Sequence, residues 1–323
     1  MKKELNIYIL AFAISAALAY WASLPSTAKD QTRTSFVTVN TSQIASLEYL
    51  SPELKVVMKP SADKKWWIET DKAGVRESFL GSSKVKEVLQ LYSPLEAIRV
   101  IGTVKDDGLA EYGLNDSKKE FKILDQSGQP LLHLILGKQA FGTRNMFVMD
   151  SKSKKVLLVS GDLTNDIERP DTKLYERMIT NVVHEEIQKA KVSIKEKARE
   201  FAHTKRDDKG MLLWTSETAE GATVVSAKSW FERLDRVRIV SFATPEEIAA
   251  LDSSPVSFSV DLESPSSKDS LKFAKRPTTA TAAPAGTMDY FVKSDFLGIW
   301  AKVASSRVEP IEKDLGTVLS EGK

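Results

Sequence analysis

The sequence predicts an α+β chain: two tandem repeats of a mostly antiparallel sheet packed by short helices, preceded by one N-terminal transmembrane helix. Three observations carry this expectation. From Val37 onward apolar residues recur mostly at every second position, the signature of strands with one face buried. One order of strand, helix, strand, helical turn and hairpin occurs twice. Residues 7–24 form an apolar run without a charged side chain.

Composition sets the outer bounds. The 323 residues are 42% hydrophobic and 28% charged, which excludes collagen-like and wholly disordered chains. At about 150 residues per domain the length suggests two domains. Forty-six basic residues nearly balance 44 acidic ones, so the broad positive field that draws a protein to nucleic acid is missing and no nucleic-acid partner is expected. The chain has no cysteine, which excludes disulfides, thiolate metal sites, cysteine nucleophiles and a lipidated N-terminal thiol.

As a helix, residues 7–24 reach about 27 Å at 1.5 Å per residue, close to the ~30 Å of a bilayer core. Lys2 and Lys3 precede the run, so the positive-inside bias holds the N-terminus in the cytoplasm and sends the rest across. Tyr20 and Trp21 then fall at the outer interface. The competing reading is a cleaved signal peptide, because Ala17-Leu18-Ala19 offers an A-x-A site. The expected address is the inner membrane, single-pass, with the bulk of the chain extracytoplasmic. Residues 1–35 are read as anchor and tether, 36–182 as the first α+β repeat and 183–323 as the second.

Alternation predicts strands over 54–58, 66–70, 98–102, 121–125, 131–136, 146–149 and 156–159. A helix beginning near Ser83 aligns Val85, Val88, Leu89 and Tyr92 on one face, and Pro94 ends it. A second helical stretch is predicted over 167–181, with Leu174 and Met178 inward. The second half repeats the series. Leu212-Leu213-Trp214-Thr215 answers Trp66-Trp67-Ile68-Glu69, and the helix 226–234 answers 83–91. The strands 237–240, 258–262, 290–292 and 299–303 answer 98–101, 121–125, 146–148 and 156–159. A small helical turn follows in each half. The first ends at Gly113, a left-handed C-cap. The second starts with Thr244 as N-cap, Pro245 at the first position and Glu247 completing a capping box. Residues 276–287, small and polar, are read as a long flexible hairpin loop.

The order of Trp67, a helix, the strand ending at Gly102, Ala110-Glu111-Tyr112-Gly113-Leu114, Leu134-Ile135-Leu136-Gly137 and Met146-Phe147-Val148 resembles the domain-of-unknown-function 4340 family of bacterial envelope proteins. That resemblance implies an N-terminal hydrophobic segment and, because members are often encoded beside gliding-motility-type ABC transporter components, an envelope accessory role. It brings no catalytic or ligand residues. The second half departs from it, with Ile248-Ala249-Ala250-Leu251 where the first has Tyr112-Gly113-Leu114.

The motifs that carry chemistry are incomplete. His184-Glu185-Glu186-Ile187-Gln188 begins like a zinc-protease helix, but Gln188 stands where the second imidazole is needed. The glycine spacing of 108–113 lacks the lysine of a phosphate loop. Ser61-x-x-Lys64 and Ser151-x-x-Lys154 lack the K-T-G element that accompanies S-x-x-K nucleophiles. Asp106-Asp107 and Asp207-Asp208 lack alternating oxygen ligands for calcium. His133 and His203 read as satisfied strand residues. No catalytic residue, cofactor or metal ligand is therefore assigned, and the chain is read as non-enzymatic.

Trp66 and Trp67 point to opposite faces of one strand. Trp67, answered by Trp214, is read as core, which leaves Trp66 as the candidate partner contact. The functional expectation is a membrane-anchored accessory or interaction protein with a protein partner in the envelope, such as an ABC transporter, through an edge strand or Trp66. The alternative is a periplasmic ligand-binding protein with its site between the two repeats.

Overall fold

The computed structural model describes Ser15 and residues 33–206, 208, 212–217, 222–278, 284 and 286–321. In chain order the strands are β1 Thr34–Val37, β2 Ser46–Leu50, β3 Leu54–Pro60, β4 Trp66–Lys72, β5 Val75–Leu80, β6 Leu95–Ala97, β7 Arg99–Thr103, β8 Glu120–Leu124, β9 Pro130–Gln139 and β10 Met146–Asp150. They continue with β11 Lys155–Val159, β12 Lys189–Ile194, β13 Lys197–Arg206, β14 Leu212–Ser216, β15 Ile239–Phe242, β16 Phe258–Glu263, β17 Lys268–Pro277, β18 Met288–Ser294 and β19 Trp300–Val303. The longer helices are α1 Lys84–Gln90, α2 Val225–Asp235, α3 Pro245–Asp252, α4 Ser305–Lys313 and α5 Leu315–Ser320. The class is α+β with mostly antiparallel sheets, as the alternation predicts.

Over the described residues the chain divides into two compact units, Met1–Pro52 with Glu87–Asp166 and Glu53–Lys86 with Ile167–Lys323. In the first unit six strands run in the order β2-β8-β9-β10-β11-β7, beside a two-stranded β1-β6 ladder. Period-two burial makes its core: Leu132, Leu134 and Leu136 of β9 and Phe121 and Ile123 of β8 are buried, while their strand neighbours are not. Tyr92 stacks on Phe121 at 4.3 Å between centroids, and its buried hydroxyl donates to the Leu163 carbonyl at 2.6 Å.

The family-like motifs have one physical reason in this unit. The 3-10 turn Asp106–Tyr112 ends at Gly113, whose φ of +67° is the left-handed cap expected from the sequence. Gly137 lies on β9 beneath it. A Cβ on Gly137 would stand 2.3 Å from the Tyr112 carbonyl and 3.0 Å from that of Phe147, so the turn and the sheet touch backbone to backbone. The two glycine motifs are the two sides of one close approach.

In the second unit eight strands run in the order β14-β13-β12-β16-β17-β18-β19-β15, and β3, β4 and β5 pair in sequence as an antiparallel meander. The order β12-β16-β17-β18-β19-β15 is position for position that of the six strands in the first unit. The hairpins β3-β4 and β13-β14 also correspond.

The helices α2, α4 and α5 cover this sheet. Trp230, Phe231 and Leu234 of α2 pack with Val308, Ile311, Leu315 and Val318 onto Phe201, Phe258 and Phe273. The Trp230 indole donates to the Ile311 carbonyl at 2.9 Å. Arg199, only 4% exposed, reaches from β13 to the end of α5 and donates to the carbonyls of Val318 and Glu321 at 2.9 and 2.5 Å. The Glu321 carboxylate in turn accepts from the backbone N–H groups of Val225 and Ser226 at the start of α2.

Most expected elements are present. The exception is 167–181, where only Pro170–Lys173 is a helical turn, Leu174 caps it, and 175–178 leaves the helix to make bridges. Leu174 is buried as expected, but Met178 is 36% exposed. Sheet margins that need hydrogen-bond partners take this segment from the helix its spacing suggests. Strands β1, β2, β5, β6 and β17 and the helices α4 and α5 are additions to the elements the sequence predicts. The expected transmembrane helix over 7–24 lies, apart from Ser15, outside the described residues, as does most of the 276–287 loop. Among the described residues no helix is long and apolar enough to cross a membrane.

Gly137→Ala is expected to cost about 1–3 kcal/mol, because a backbone carbonyl cannot rotate away as a side chain would. Arg199→Met is expected to cost about 1–3 kcal/mol by orphaning two carbonyls, with the amides of α5 losing exchange protection first. Urea midpoints and hydrogen exchange on the full chain read both.

Candidate functional site

The candidate site is built on the segment after Lys173, which serves as a strap within the second unit. The Leu174 carbonyl accepts from the Ser82 N–H at 2.7 Å, and the Glu176 N–H donates to the Leu80 carbonyl at 2.8 Å. Tyr175 thereby bridges Gly81 in antiparallel fashion at the end of β5. One residue further the strap changes partners. The Arg177 carbonyl accepts from the Ile239 N–H at 2.9 Å, and Met178 bridges Arg238 at the margin of β15. Aromatic packing locks the strap: Tyr175 stacks on Phe79 at 4.6 Å and lies 5.6 Å from Phe242, with the Arg177 guanidinium over its ring.

At the other margin of the eight-stranded sheet, Val224 N–H donates to the Trp214 carbonyl and Ser216 N–H to that of Ala222. Both margins of that sheet are thus occupied. Strand addition there is not open to a partner without displacing native chain.

Beside the strap lies an open groove of about 530 Å³. Its apolar wall comes from Trp66, Leu80, Met178, Val182, Val183 and Phe296, and its polar groups include Lys64, Lys65, Ser82, Glu176 and His184. Trp66 is half-buried and shares its face of β4 with the buried Ile68 and Thr70. Trp67 faces the other way and packs edge-on against Phe242 at 5.8 Å, on the periphery of the core to which the buried Trp214 belongs. The strand therefore has cover on both faces at this end, and Trp66, part-buried, lines the groove.

The electrostatics of the groove are mixed. Lys65 pairs with Asp63 at 2.7 Å, and that ammonium, with the Ser61 hydroxyl, lowers the Asp63 carboxyl to about 2. Burial raises Glu176 above the ordinary carboxylate value, although one oxygen accepts from the Met178 N–H at 2.8 Å and the charge of Arg238 offsets part of the effect. The Ser82 hydroxyl is buried without a hydrogen-bond partner. Such an arrangement suits an apolar or aromatic group carrying one or two polar atoms.

The other residues singled out by the sequence do not gather here, except one. His184 lines the groove from a 3-10 turn, His184–Glu186, in place of the helix a zinc-protease motif requires. His133 lies 3.3 Å from Glu120 across β8 and β9. His203 stacks on Trp214 at 4.2 Å, its Nδ1 is 3.1 Å from the Ile187 carbonyl, and burial lowers its pKa. Asp106 and Asp107 are exposed in the first turn of Asp106–Tyr112, and Asp207 lies outside the described residues. Among the described residues, no three His, Asp or Glu side chains are placed to hold a metal ion. Ser82, Glu176 and Phe296 gave no signal in the sequence, since only the strap brings them to one groove.

A second recess, of about 420 Å³, opens over β12, β16 and β17. Asp269 forms part of it, only 3% exposed. One carboxylate oxygen accepts from the Phe296 N–H at 3.1 Å, and the other has no partner. Burial raises its pKa and the Asp295 charge adds to this, while the Thr180 side chain and the Phe296 and Asp295 backbones offset part of the effect.

Residues 101–254 match the family described as Domain of unknown function (DUF4340), the family that the glycine motifs resemble. No curated protein and no solved structure matches the chain.

A carboxyl whose folded pKa is raised resists ionisation in the native state. Below its ordinary value near 3.8 it is protonated folded and unfolded alike. As pH rises from there through the folded value, stability is lost, and the loss is complete above it. Asp269→Asn keeps the acceptor for Phe296 and is expected to remove that component. Urea midpoints across the acidic and neutral range should show the variant at least as stable as the parent at pH 7, with a flatter profile.

Proposed function

We propose that this chain, whose segment 101–254 belongs to the DUF4340 family, is a membrane-anchored extracytoplasmic accessory protein that holds an envelope partner, such as an ABC transporter component, in the groove at Trp66. The observation that carries the reading is the groove itself: an apolar wall that includes Trp66, beside a strap fixed at both ends by backbone hydrogen bonds. A rigid, concave, largely apolar surface is what an aromatic or aliphatic anchor of a partner needs. The apolar run at 7–24 supports anchorage, with the N-terminus inside and the bulk of the chain outside. The shared six-strand order supports descent of the two halves from one duplicated α+β unit, the second having changed its helical turn. The function is non-catalytic in this reading.

A periplasmic ligand-binding role is the second reading, favoured by the unpartnered Ser82 hydroxyl and the buried Glu176 carboxyl beside the apolar wall. Copurification of the intact protein from membranes separates the two. A partner protein, with transporter subunits foremost, should be recovered with the parent chain. Trp66→Ala should reduce its recovery by about thirtyfold, as loss of an anchor worth about 2 kcal/mol predicts, while the thermal midpoint stays near that of the parent. Equal recovery with Trp66→Ala would remove the groove from the proposal. A small molecule released on denaturation of the parent, with no protein partner, would establish the second reading. A C-terminal reporter active only in the cytoplasm would refute the topology.

A further inference from the structure

We propose that the β9–β10 hairpin tip of the first unit is a docking point for an anionic bilayer surface, with Phe141 as its apolar wedge. Phe141 is the most exposed large hydrophobic side chain among the described residues, at 104%. The tip that presents it is an ordered turn. Ala140 N–H donates to the Asn145 carbonyl at 2.8 Å and Thr143 N–H to that of Ala140 at 3.3 Å. The Gln139 amide donates to the Thr143 carbonyl at 2.6 Å, and Asn145 N–H to the Thr143 hydroxyl at 3.1 Å. Gly142 takes the left-handed φ of +71° that the turn requires. From outside, Gly161 abuts the base of the tip so closely that a Cβ there would lie 1.9 Å from the Arg144 carbonyl. A phenylalanine held out of its own core by this many backbone constraints is displayed, not misplaced.

Charge and reach select the occupant. Between Lys138 and Asn145 the only charged side chains are Lys138 and Arg144, both exposed. Cations flanking an aromatic wedge are the composition of interfacial membrane contacts, where the ring enters the headgroup boundary and the charges pair with anionic lipid. A single tip is far too small for a stable protein interface of about 800 Å² per partner, whereas a bilayer requires only the wedge. The inference rests on the proposed anchor in one respect. Residues 25–33, between the apolar run and β1, span at most about 30 Å, so anchorage would keep the first unit within that distance of the bilayer.

The test places the photoreactive analogue p-benzoylphenylalanine at Phe141 in the full chain. The protein is reconstituted in vesicles of phosphatidylcholine, with or without phosphatidylglycerol, and in native membranes. Lipid adducts at 141 should be several-fold more abundant with phosphatidylglycerol. They should also exceed those from the same analogue at Ser127, in the turn at the opposite end of β9. Lys138→Ala and Arg144→Ala should each lower the yield by about fivefold. Equal yields at the two positions, or adducts in native membranes to protein instead of lipid, would overturn the proposal. Alkaline washing after photolysis keeps the two readings apart. A chain that resists alkali but gives no lipid adduct at 141 retains the anchor and loses the tip. A chain that alkali removes but that labels lipid at 141 retains the tip and loses the anchor.

Discussion

A β-sheet margin leaves a row of N–H and C=O groups that must find partners, and in the second unit this requirement shapes everything near the candidate site. The strap at 174–178 gives its first hydrogen bonds to the end of β5 and its next to β15, so two margins are satisfied by five residues of chain. Tyr175, Phe79, Phe242 and Trp67 then form an aromatic layer around it. The groove is the space left beside that construction. Its polar groups, Glu176 and Ser82, sit there because their own backbones are engaged in closing the margins.

In the first unit the equivalent economy is made with absent side chains. A turn packed on a sheet ordinarily rests on it through side-chain contacts. Here Gly113 reverses the chain and Gly137 yields the space, so the Tyr112 carbonyl meets β9 directly. The two short motifs that carry the family resemblance, with their glycines 24 residues apart in sequence, are therefore one contact seen twice, and their significance is structural.

How much of this was legible follows from which forces are local. Period-two burial in β8, β9 and β16, the apolar face of α1 and the capping box of α3 are written in neighbouring residues, and the structure has each of them where the sequence places it. Strand β5 was missed because Val75, Arg76, Glu77 and Ser78 are all exposed, so no burial pattern marks it. The helix expected over 167–181 failed because helical spacing there competes with a hydrogen-bonding demand from strands far away in sequence. The groove was illegible for the same reason: Trp66 was singled out, but Ser82, Glu176 and Phe296 are brought to it only by tertiary pairing.

The clasp between Arg199 and the chain near residue 321 carries a consequence for the order of events during synthesis. The guanidinium is buried in β13, yet the carbonyls that satisfy it lie 119 and 122 residues further on. A polypeptide emerging N-terminus first, whether from a ribosome or through a translocation pore, cannot complete this layer until those last turns have appeared. Until then the face of α2 that meets α4 and α5, with Trp230 at Ile311, stands uncovered. Val318 and Glu321, which take the guanidinium, act as the latch that ends that exposure.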